Sequence, residues 1–322
     1  MRAMVLEDIA DIEGSPLELR DRPMPEPGDG EVRLRVAACG ICRTDLHVIE
    51  GDLPRQTLPI VPGHQIVGTV DAVGPGCHRL RAGHRVGVAW LRHTCGRCRY
   101  CTTGRENLCQ RQRFTGYQAD GGYADCALAP EDFVYEIPDA FGDAEATPLL
   151  CAGIVGYRSF RRSNPQPGGT LALYGFGSSA HVILQIALHR DMTVYVVTRA
   201  ASHQRLAEEM GAAWVGGRAE EMPARVDSAV IYAPAGELVP PALEKLTPGG
   251  TLSLAGIHMS DVPALNYPRH LFHEREVRST TANTRQDGRD LLAEAAEIPI
   301  RPRVTAYPLP EANRALQDLK AD

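Results

Sequence analysis

The chain has 322 residues, more than one average domain, so two domains with separate cores are the natural reading. Forty acidic residues against 34 basic give a net charge of −6, which argues against a generally nucleic-acid-binding surface and fits a soluble enzyme. The N-terminal MRAMVLEDIA has charges every few residues and no apolar stretch before a cleavage site, so no export signal is read; nine cysteines in such a chain point to metal binding more than to disulfides.

From residue 31 to 129 the sequence is short strands and turns. Val32, Leu34 and Val36 alternate with charged residues, and similar stretches occupy 66–73 and 85–89, the pattern of an antiparallel, barrel-like domain. Within it AACGICRTDLHVIEG, residues 37–51, gathers two cysteines, a threonine, an aspartate and a histidine. His64, in PGHQIVG, follows a proline-glycine turn and starts a strand, and Cys151, in PLLCAGIVGY, ends the first domain. Taken singly, such residues are most often packing or surface groups.

Between these lies TCGRCRYCTTGRENLC, in which Cys95, Cys98, Cys101 and Cys109 follow the spacing C-x2-C-x2-C-x7-C. Four thiolates can close a tetrahedral ion with no further ligand, so a structural zinc is expected. Arg92, Arg97, Arg99, Arg105, Arg111 and Arg113 surround the cluster, as in a nucleic-acid-binding zinc ribbon, but aromatics beyond Tyr100 and Phe114 are lacking and the chain is acidic. Nucleic acid is not an expected partner.

After Cys151 strands and helices alternate. Thr170–Tyr174, Thr193–Val197 and the segments 213–215, 228–232, 251–255 and 277–281 are six strand candidates, with helical patterns such as 181–189 and 204–210 between them, which indicates a doubly wound parallel sheet. Residues 163–189 contain no Asp, Glu, Lys or Arg, long enough for a membrane span, but Pro165, Pro167, Gly168, Gly169 and GFGSS make it a strand, turn and helix. In that turn Gly175 and Gly177 permit close approach of a pyrophosphate to the helix N-terminus, and Ala180 is the small third residue of a dinucleotide fingerprint. The next strand ends in Thr198 and Arg199, where an NAD enzyme would offer a carboxylate to the ribose; a hydroxyl and a guanidinium favour NADP(H), with NAD(H) possible. Helix candidates at 290–297 and 311–320 return to the first domain, giving a catalytic zinc-binding domain at 1–153 and 285–322 and a dinucleotide-binding domain at 154–284.

Together, GICRTDLH, PGHQIVG, the four-cysteine lobe, PLLCAGIVGY and GFGSSA stand in the order of the zinc-dependent alcohol dehydrogenases of the medium-chain dehydrogenase/reductase superfamily, and the resemblance covers nearly the whole chain. It implies an N-terminal GroES-like catalytic domain and a Rossmann cofactor domain. It also implies that Cys42, His64 and Cys151 hold a catalytic zinc while Cys39 is a neighbouring buried thiol; Cys77 and Cys126 match no motif and read as packing residues. Zinc is a Lewis acid that lowers the pKa of bound water to about 7, and it would likewise make an alcohol easier to deprotonate before hydride leaves for the nicotinamide. The resemblance gives Thr44 and His47 the proton path, through the nicotinamide ribose, and Arg43 a place near the cofactor pyrophosphate. Asp45 resembles the carboxylate that orients His64, and Trp90 the aromatic that narrows the pocket for small alcohols.

Three features depart from the family. Gln65 follows His64 where a glutamate is usual, so the ion would lack that carboxylate behind it and be more electrophilic. Few residues separate the 213–215 strand from Val226, too few for the usual crossover helix, so the sheet is expected to be trimmed there. The sequence ends at LKAD, where relatives continue to a strand bearing a pyrophosphate arginine; a tail beyond the sequence or a weaker cofactor grip is expected.

The reading is a cytoplasmic enzyme, homodimeric or homotetrameric, with two zinc ions per chain, interconverting small primary alcohols and their carbonyl products. The alternatives are an NADPH-dependent reductase of aromatic or aliphatic aldehydes and, in another class, a zinc-stabilised binding protein without catalysis. Retention of Cys42, Thr44, His47, His64 and Cys151 together speaks against the last.

Overall fold

Apolar residues at every second position bury one face of the strand Glu31–Gly40, where Val32 and Leu34 are fully buried, while Arg33 on the other face pairs with Asp71 at 2.9 Å. This is the strand next to the edge in a five-stranded antiparallel sheet whose order is Cys126–Pro130, Glu31–Gly40, Gln65–Val73, Arg85–Val88 and Val134–Glu136. Its core is Val32, Leu34, Ile66, Val70, Val86 and Val88 with Ala127 and Ala129. The computed structural model describes all residues except Arg55, Pro299 and Asp322; the last residue of the LKAD ending therefore lies outside the described residues.

The chain divides into two units: Met1–Cys151 with Asn283–Ala296 and Arg301–Asp322, and Ala152–Ala282 with Glu297–Ile300. In the first, a second core joins the hairpin of Arg2–Leu6 and Leu17–Asp21 to the helices Arg43–Glu50 and Ala312–Ala321 through Leu6, Leu46, Ile49 and Leu316. Polar contacts fix the same arrangement: Gln317 donates to the Ile12 carbonyl at 2.9 Å, and Lys320 meets Asp11 at 2.8 Å and Glu50 at 2.7 Å. The helix carrying most of the GICRTDLH motif is thus clamped by the helix Ala312–Ala321.

The second unit is a six-stranded parallel sheet in the order Trp214–Gly216, Thr193–Val197, Thr170–Tyr174, Val226–Ile231, Leu246–Leu254 and Glu276–Ser279, the doubly wound order. The central strands are buried on both faces, with Leu171, Leu173, Val194, Val196, Val230 and Ile231 fully covered. The expected trimming does not occur: all six strands are present, and only the crossover is reduced, residues 217–225 holding a single 3-10 turn at Ala219–Glu221. Ala219 and Met222 are buried in the sheet core, so two side chains cover what a longer helix would. Leu246–Leu254 also begins earlier than 251, because it runs through Pro248, Gly249 and Gly250, residues that signal a turn. Among the described residues no helix is long and apolar enough to cross a membrane.

Candidate active site and metal centres

Strand register brings the first two motifs together. Gly40 pairs with Gln65, so Cys42 lies just beyond the end of one strand and His64 just before the start of its neighbour. Gly63, in the turn leading to His64, has φ +93°, and a Cβ there would lie 2.5 Å from the Tyr123 ring, so the PGH turn needs glycine for both conformation and space. Cys42 is the N-cap of the helix Arg43–Glu50, and Cys151 sits between the 3-10 turn Thr147–Leu150 and the helix Ala152–Arg162.

The Cys42 Sγ lies 3.4 Å from His64 Nε2 and 3.9 Å from Cys151 Sγ, and His64 Nε2 lies 3.2 Å from Cys151 Sγ. With Zn–S of about 2.3 Å and Zn–N of about 2.0–2.1 Å, a tetrahedral ion would hold sulfurs about 3.8 Å apart and sulfur and nitrogen about 3.6 Å apart. The triangle therefore fits zinc, with its fourth corner unclaimed by these three side chains. Cys39 is not in the cluster; its Sγ is within 3.7 Å of the Gly40 carbonyl, and burial first, then Asp45, pushes its thiol pKa up.

Asp45 serves two groups at once. One carboxylate oxygen accepts the Cys42 N–H at 2.9 Å and the other accepts from His64 Nδ1 at 3.1 Å, with both side chains 1% exposed. The ring is thereby held with its proton on Nδ1 and its Nε2 lone pair toward the two sulfurs. Hydrogen bonding from Cys151 holds Cys42 well below the usual thiol range against the effect of burial, and the same bond, with burial, pushes Cys151 well above it. Burial opposes charge on His64, but Asp45 and Cys42 outweigh it and push the ring up to about 10. A cation bound in the triangle displaces any proton on the two sulfurs and on Nε2, so metal binding here is coupled to proton release.

The four-cysteine lobe converges equally. The Sγ atoms of Cys95, Cys98, Cys101 and Cys109 all lie within 4.8 Å of one another, with Cys98 and Cys101 at 3.5 Å and Cys95 and Cys101 at 4.0 Å. The backbone N–H groups of Cys95 and Arg111 each donate to Cys109 Sγ at 3.4 Å, the kind of support a thiolate needs. Backbone donors at Arg97 and Cys98 hold Cys95 down to about 6. The lobe is anchored by Glu106, which meets the Arg285 guanidinium at 2.7 to 3.1 Å and its backbone N–H at 2.8 Å, while that guanidinium lies 4.6 Å from the Phe133 ring centre.

The remaining site residues fall into place by element. Thr44 and His47 are three apart on the helix Arg43–Glu50 and so share a face. His47 Nδ1 is 2.8 Å from Asp52, which follows the left-handed Gly51 that ends the helix. The Thr44 hydroxyl is also a hydrogen-bond partner of Cys42. Arg43 is exposed, with Nη1 3.5 Å from the Lys320 carbonyl. Trp90 is buried edge-on to the His64 ring, centroids 4.9 Å apart, and stacks on Phe114 at 4.8 Å with Tyr117 at 5.7 Å. Gln65 is 2% exposed, and its amide nitrogen has no hydrogen-bond partner among the described residues.

In the second unit Gly175 has φ +83°, and a Cβ there would lie 3.0 Å from the Ala233 nitrogen. Gly177 caps the helix Ser178–His189 and nothing lies within 4 Å of its missing Cβ, while Ala180 is fully buried. Thr198 is buried at 7% exposure with its carbonyl accepting from Gln204 at 2.8 Å, and Arg199 is exposed. Sequence reasoning missed Asp52, Phe114, Tyr117 and the Glu106–Arg285 pair. Only Asp52 had a local signal, the glycine that ends its helix.

Comparison with known proteins agrees with this geometry. Residues 28–139 match the alcohol dehydrogenase GroES-like domain family and residues 177–297 the zinc-binding dehydrogenase family. The chain is 49% identical over 311 residues to a probable alcohol dehydrogenase, AdhA, of Mycobacterium tuberculosis, covering 95% of this chain and 90% of that one. It is 35% identical to an alcohol dehydrogenase of Geobacillus stearothermophilus, covering 94% and 92%. Among solved structures, a cobalt- and zinc-bound thermostable alcohol dehydrogenase from Pyrobaculum aerophilum superposes with TM-score 0.89 at 26% identity, over 99% and 96% of the two chains. A cinnamyl alcohol dehydrogenase from Sorghum bicolor gives TM-score 0.89 at 27% identity, over 99% and 94%. By its sequence relatives and its fold alike, the chain belongs to the zinc-dependent alcohol dehydrogenases of the medium-chain dehydrogenase/reductase superfamily.

Proposed function

We propose that this alcohol dehydrogenase acts on small primary alcohols and their aldehydes, with a catalytic zinc on Cys42, His64 and Cys151, a structural zinc on Cys95, Cys98, Cys101 and Cys109, and NADP(H) preferred over NAD(H). The observation that carries the reading is the triangle of two sulfurs and one imidazole nitrogen, with Asp45 behind the ring and Trp90 against its edge. Zinc held by these three residues would supply Lewis acidity toward an alcohol oxygen, and a bound nicotinamide would supply the hydride acceptor.

The chain's own residues do the rest. Asp45 keeps His64 in the ligating tautomer. Trp90, itself braced by Phe114 and Tyr117, forms a rigid wall beside that ligand and restricts substrate breadth. Thr44 supplies a hydroxyl oxygen that can accept and pass on the substrate proton, and His47 the exit. His47 Nδ1 faces Asp52 at 2.8 Å, and that contact orients the ring. Gln65 adds no negative charge beside the two thiolates. Gly175, Gly177 and Ala180 let the pyrophosphate approach the helix Ser178–His189. Arg199, exposed at the end of its strand, supplies the charge for a 2′-phosphate, with Thr198 beside it.

The same strand end supports a second reading, an NADPH-dependent aldehyde reductase, whose aromatic substrates would match the Sorghum relative's name. A homodimer or homotetramer is supported by the edge strand Glu276–Ser279 and the exposed Tyr267, Phe272 and Val277 near it. The test is a spectrophotometric screen crossing NAD(H) and NADP(H) with primary, secondary and aromatic alcohols and aldehydes. Small primary alcohols with NADP+ should give the highest kcat/KM; faster turnover of bulky secondary alcohols, or a preference for NAD+, would refute the assignment.

A further inference from the structure

In the parallel sheet, Gly175 follows the last residue of Thr170–Tyr174, so the dinucleotide turn lies at the carboxyl ends of the strands. The opposite end has its own cavity. It is lined by Met222, Pro223, Ala224, Arg225, Glu244, Lys245 and Arg269, beside the first residues of Val226–Ile231 and Leu246–Leu254.

Three of those residues are cations, and a fourth, Arg275, is buried just behind them. The residue is 7% exposed, and among the described residues its guanidinium is held by carbonyl oxygens, those of Leu246 at 3.1 Å and Arg269 at 3.0 Å. Among the described residues that line the cavity, one carboxylate, Glu244, stands against these four, and both its oxygens are engaged. One oxygen accepts from Arg269 at 2.7 Å and the other lies 3.1 Å from His270 Nε2. The Asn266 N–H donates to His270 Nδ1 at 3.0 Å, which makes Nε2 the protonated nitrogen and leaves the ring neutral. The next acidic side chain along, Glu220, is directed to Arg218 at 3.9 Å.

The cations keep donors in reserve. Arg225 spends only Nη1, on the carbonyls of Glu244 at 2.6 Å and Leu246 at 2.9 Å. Lys245 spends two of its three protons, on the carbonyls of Glu220 at 3.0 Å and Met222 at 2.9 Å. Arg269 spends Nη2 alone. Carbonyl oxygens satisfy hydrogen bonds but do not neutralise charge, so a concave site keeps an excess of positive charge and unspent guanidinium and ammonium protons.

We propose that this cavity is an oxyanion site of the phosphate class, separate from the dinucleotide turn, with Arg225, Lys245 and Arg269 as its ligands. The probe is inorganic phosphate, followed by phosphorus-31 NMR line broadening and calorimetry on the zinc-loaded enzyme saturated with its dinucleotide, so that the coenzyme phosphate sites are filled. Binding should be saturable, with Kd about 1 mM or below, and weaken as sodium chloride is raised. Lys245→Gln and the exposed Arg269→Gln should each weaken it about tenfold or more, whereas Arg20→Gln, in the other unit, should leave it unchanged; alcohol turnover without phosphate should stay at the parent level in all three. Glycerol 2-phosphate in parallel separates a site for free phosphate from one for a phosphorylated metabolite, according to which binds more tightly. Absence of saturable binding on the dinucleotide-loaded enzyme, or Lys245→Gln and Arg269→Gln variants that both bind like the parent, would overturn the proposal.

Discussion

Replacing Asp45 with asparagine changes one oxygen to an amide nitrogen in a group whose two oxygens are both engaged. The carboxylate takes the Cys42 N–H at 2.9 Å and His64 Nδ1 at 3.1 Å. An amide has only one carbonyl oxygen. If that oxygen stays with Cys42, the NH2 group confronts Nδ1, which can then only accept, so the ring proton moves to Nε2 and the lone pair facing the sulfurs is lost. If the oxygen turns to His64 instead, the cap on the helix Arg43–Glu50 is lost beside the Cys42 ligand. Loss of such an orienting partner weakens metal binding about 10- to 100-fold, or about 1.4 to 2.7 kcal/mol. Competition against a chromophoric zinc chelator under native conditions reads it directly. Asp45→Asn should surrender one zinc 10- to 100-fold more readily than the parent and keep the other, with unchanged far-ultraviolet circular dichroism. An Asp45→Asn protein that holds both ions as tightly as the parent would refute the tautomer argument, and one that loses both at the same chelator concentration would show that Asp45 supports the fold in general.

Cys42→Ser should retain one zinc per chain by elemental analysis and lose activity, whereas Cys39→Ser should retain two and stay active; the reverse would transfer the ligand role to Cys39. His47→Gln should slow alcohol oxidation about a hundredfold at neutral pH and recover at alkaline pH, where hydroxide replaces the base, and an unchanged pH–rate profile would remove His47 from the proton path. Arg199→Ala should erase most of a ten- to hundredfold NADP(H) preference, the range of one charge-assisted hydrogen bond, mainly through KM because the phosphate is bound alike in ground and transition states; equal cofactor use by the parent would show that this strand end reads no phosphate. Arg285→Met should destabilise the fold in urea unfolding by up to about 3–5 kcal/mol, because it removes the guanidinium countercharge from Glu106, 7% exposed, and leaves the backbone N–H bond. Burial raises the Glu106 pKa, but hydrogen bonds from Arg285 outweigh it and hold the group below the usual range, so the pair stabilises the fold above the unfolded carboxyl value and that contribution is lost as pH falls through the folded value. The gap between parent and Arg285→Met should therefore narrow on acidification, and a gap that widens would be the wrong sign.

What could be read directly from the sequence is what depends on neighbours along the chain. The four cysteines of the lobe span residues 95 to 109, and their spacing alone brings them within reach of one ion. Gly175 and Gly177 stand between a strand and a helix that are each evident from local pattern. What could not be read is pairing across distance. Glu106 and Arg285 are 179 residues apart, and nothing local to either marks it as half of an ion pair. Trp90 could be named, but the partners that decide whether it is rigid, Phe114 and Tyr117, lie on segments whose approach is set by the pairing of Leu91–His93 with Arg113–Phe114. The reduced crossover shows the opposite error: a missing helix was read as a smaller sheet, although nine residues can span the distance in extended form and bury Ala219 and Met222 on the way.

Register converts separate motifs into one site. A slip of one residue between Glu31–Gly40 and Gln65–Val73 would turn every side chain of one strand to the other face and bury Arg33 in place of Leu34. The pairing also tolerates no bulk at Gly68, where a Cβ would meet the Arg35 carbonyl at 2.3 Å, beside the irregularity between Val36 and Ala38. The apolar alternation and this glycine, neither of which touches a ligand, therefore hold the Gly40–Gln65 pairing, and with it the approach of Cys42 to His64. Asp45 then adds the fine adjustment, from a helix cap to a ring nitrogen. The metal ligands are few and locally marked, but the precision of their triangle comes from core residues that a motif search passes over.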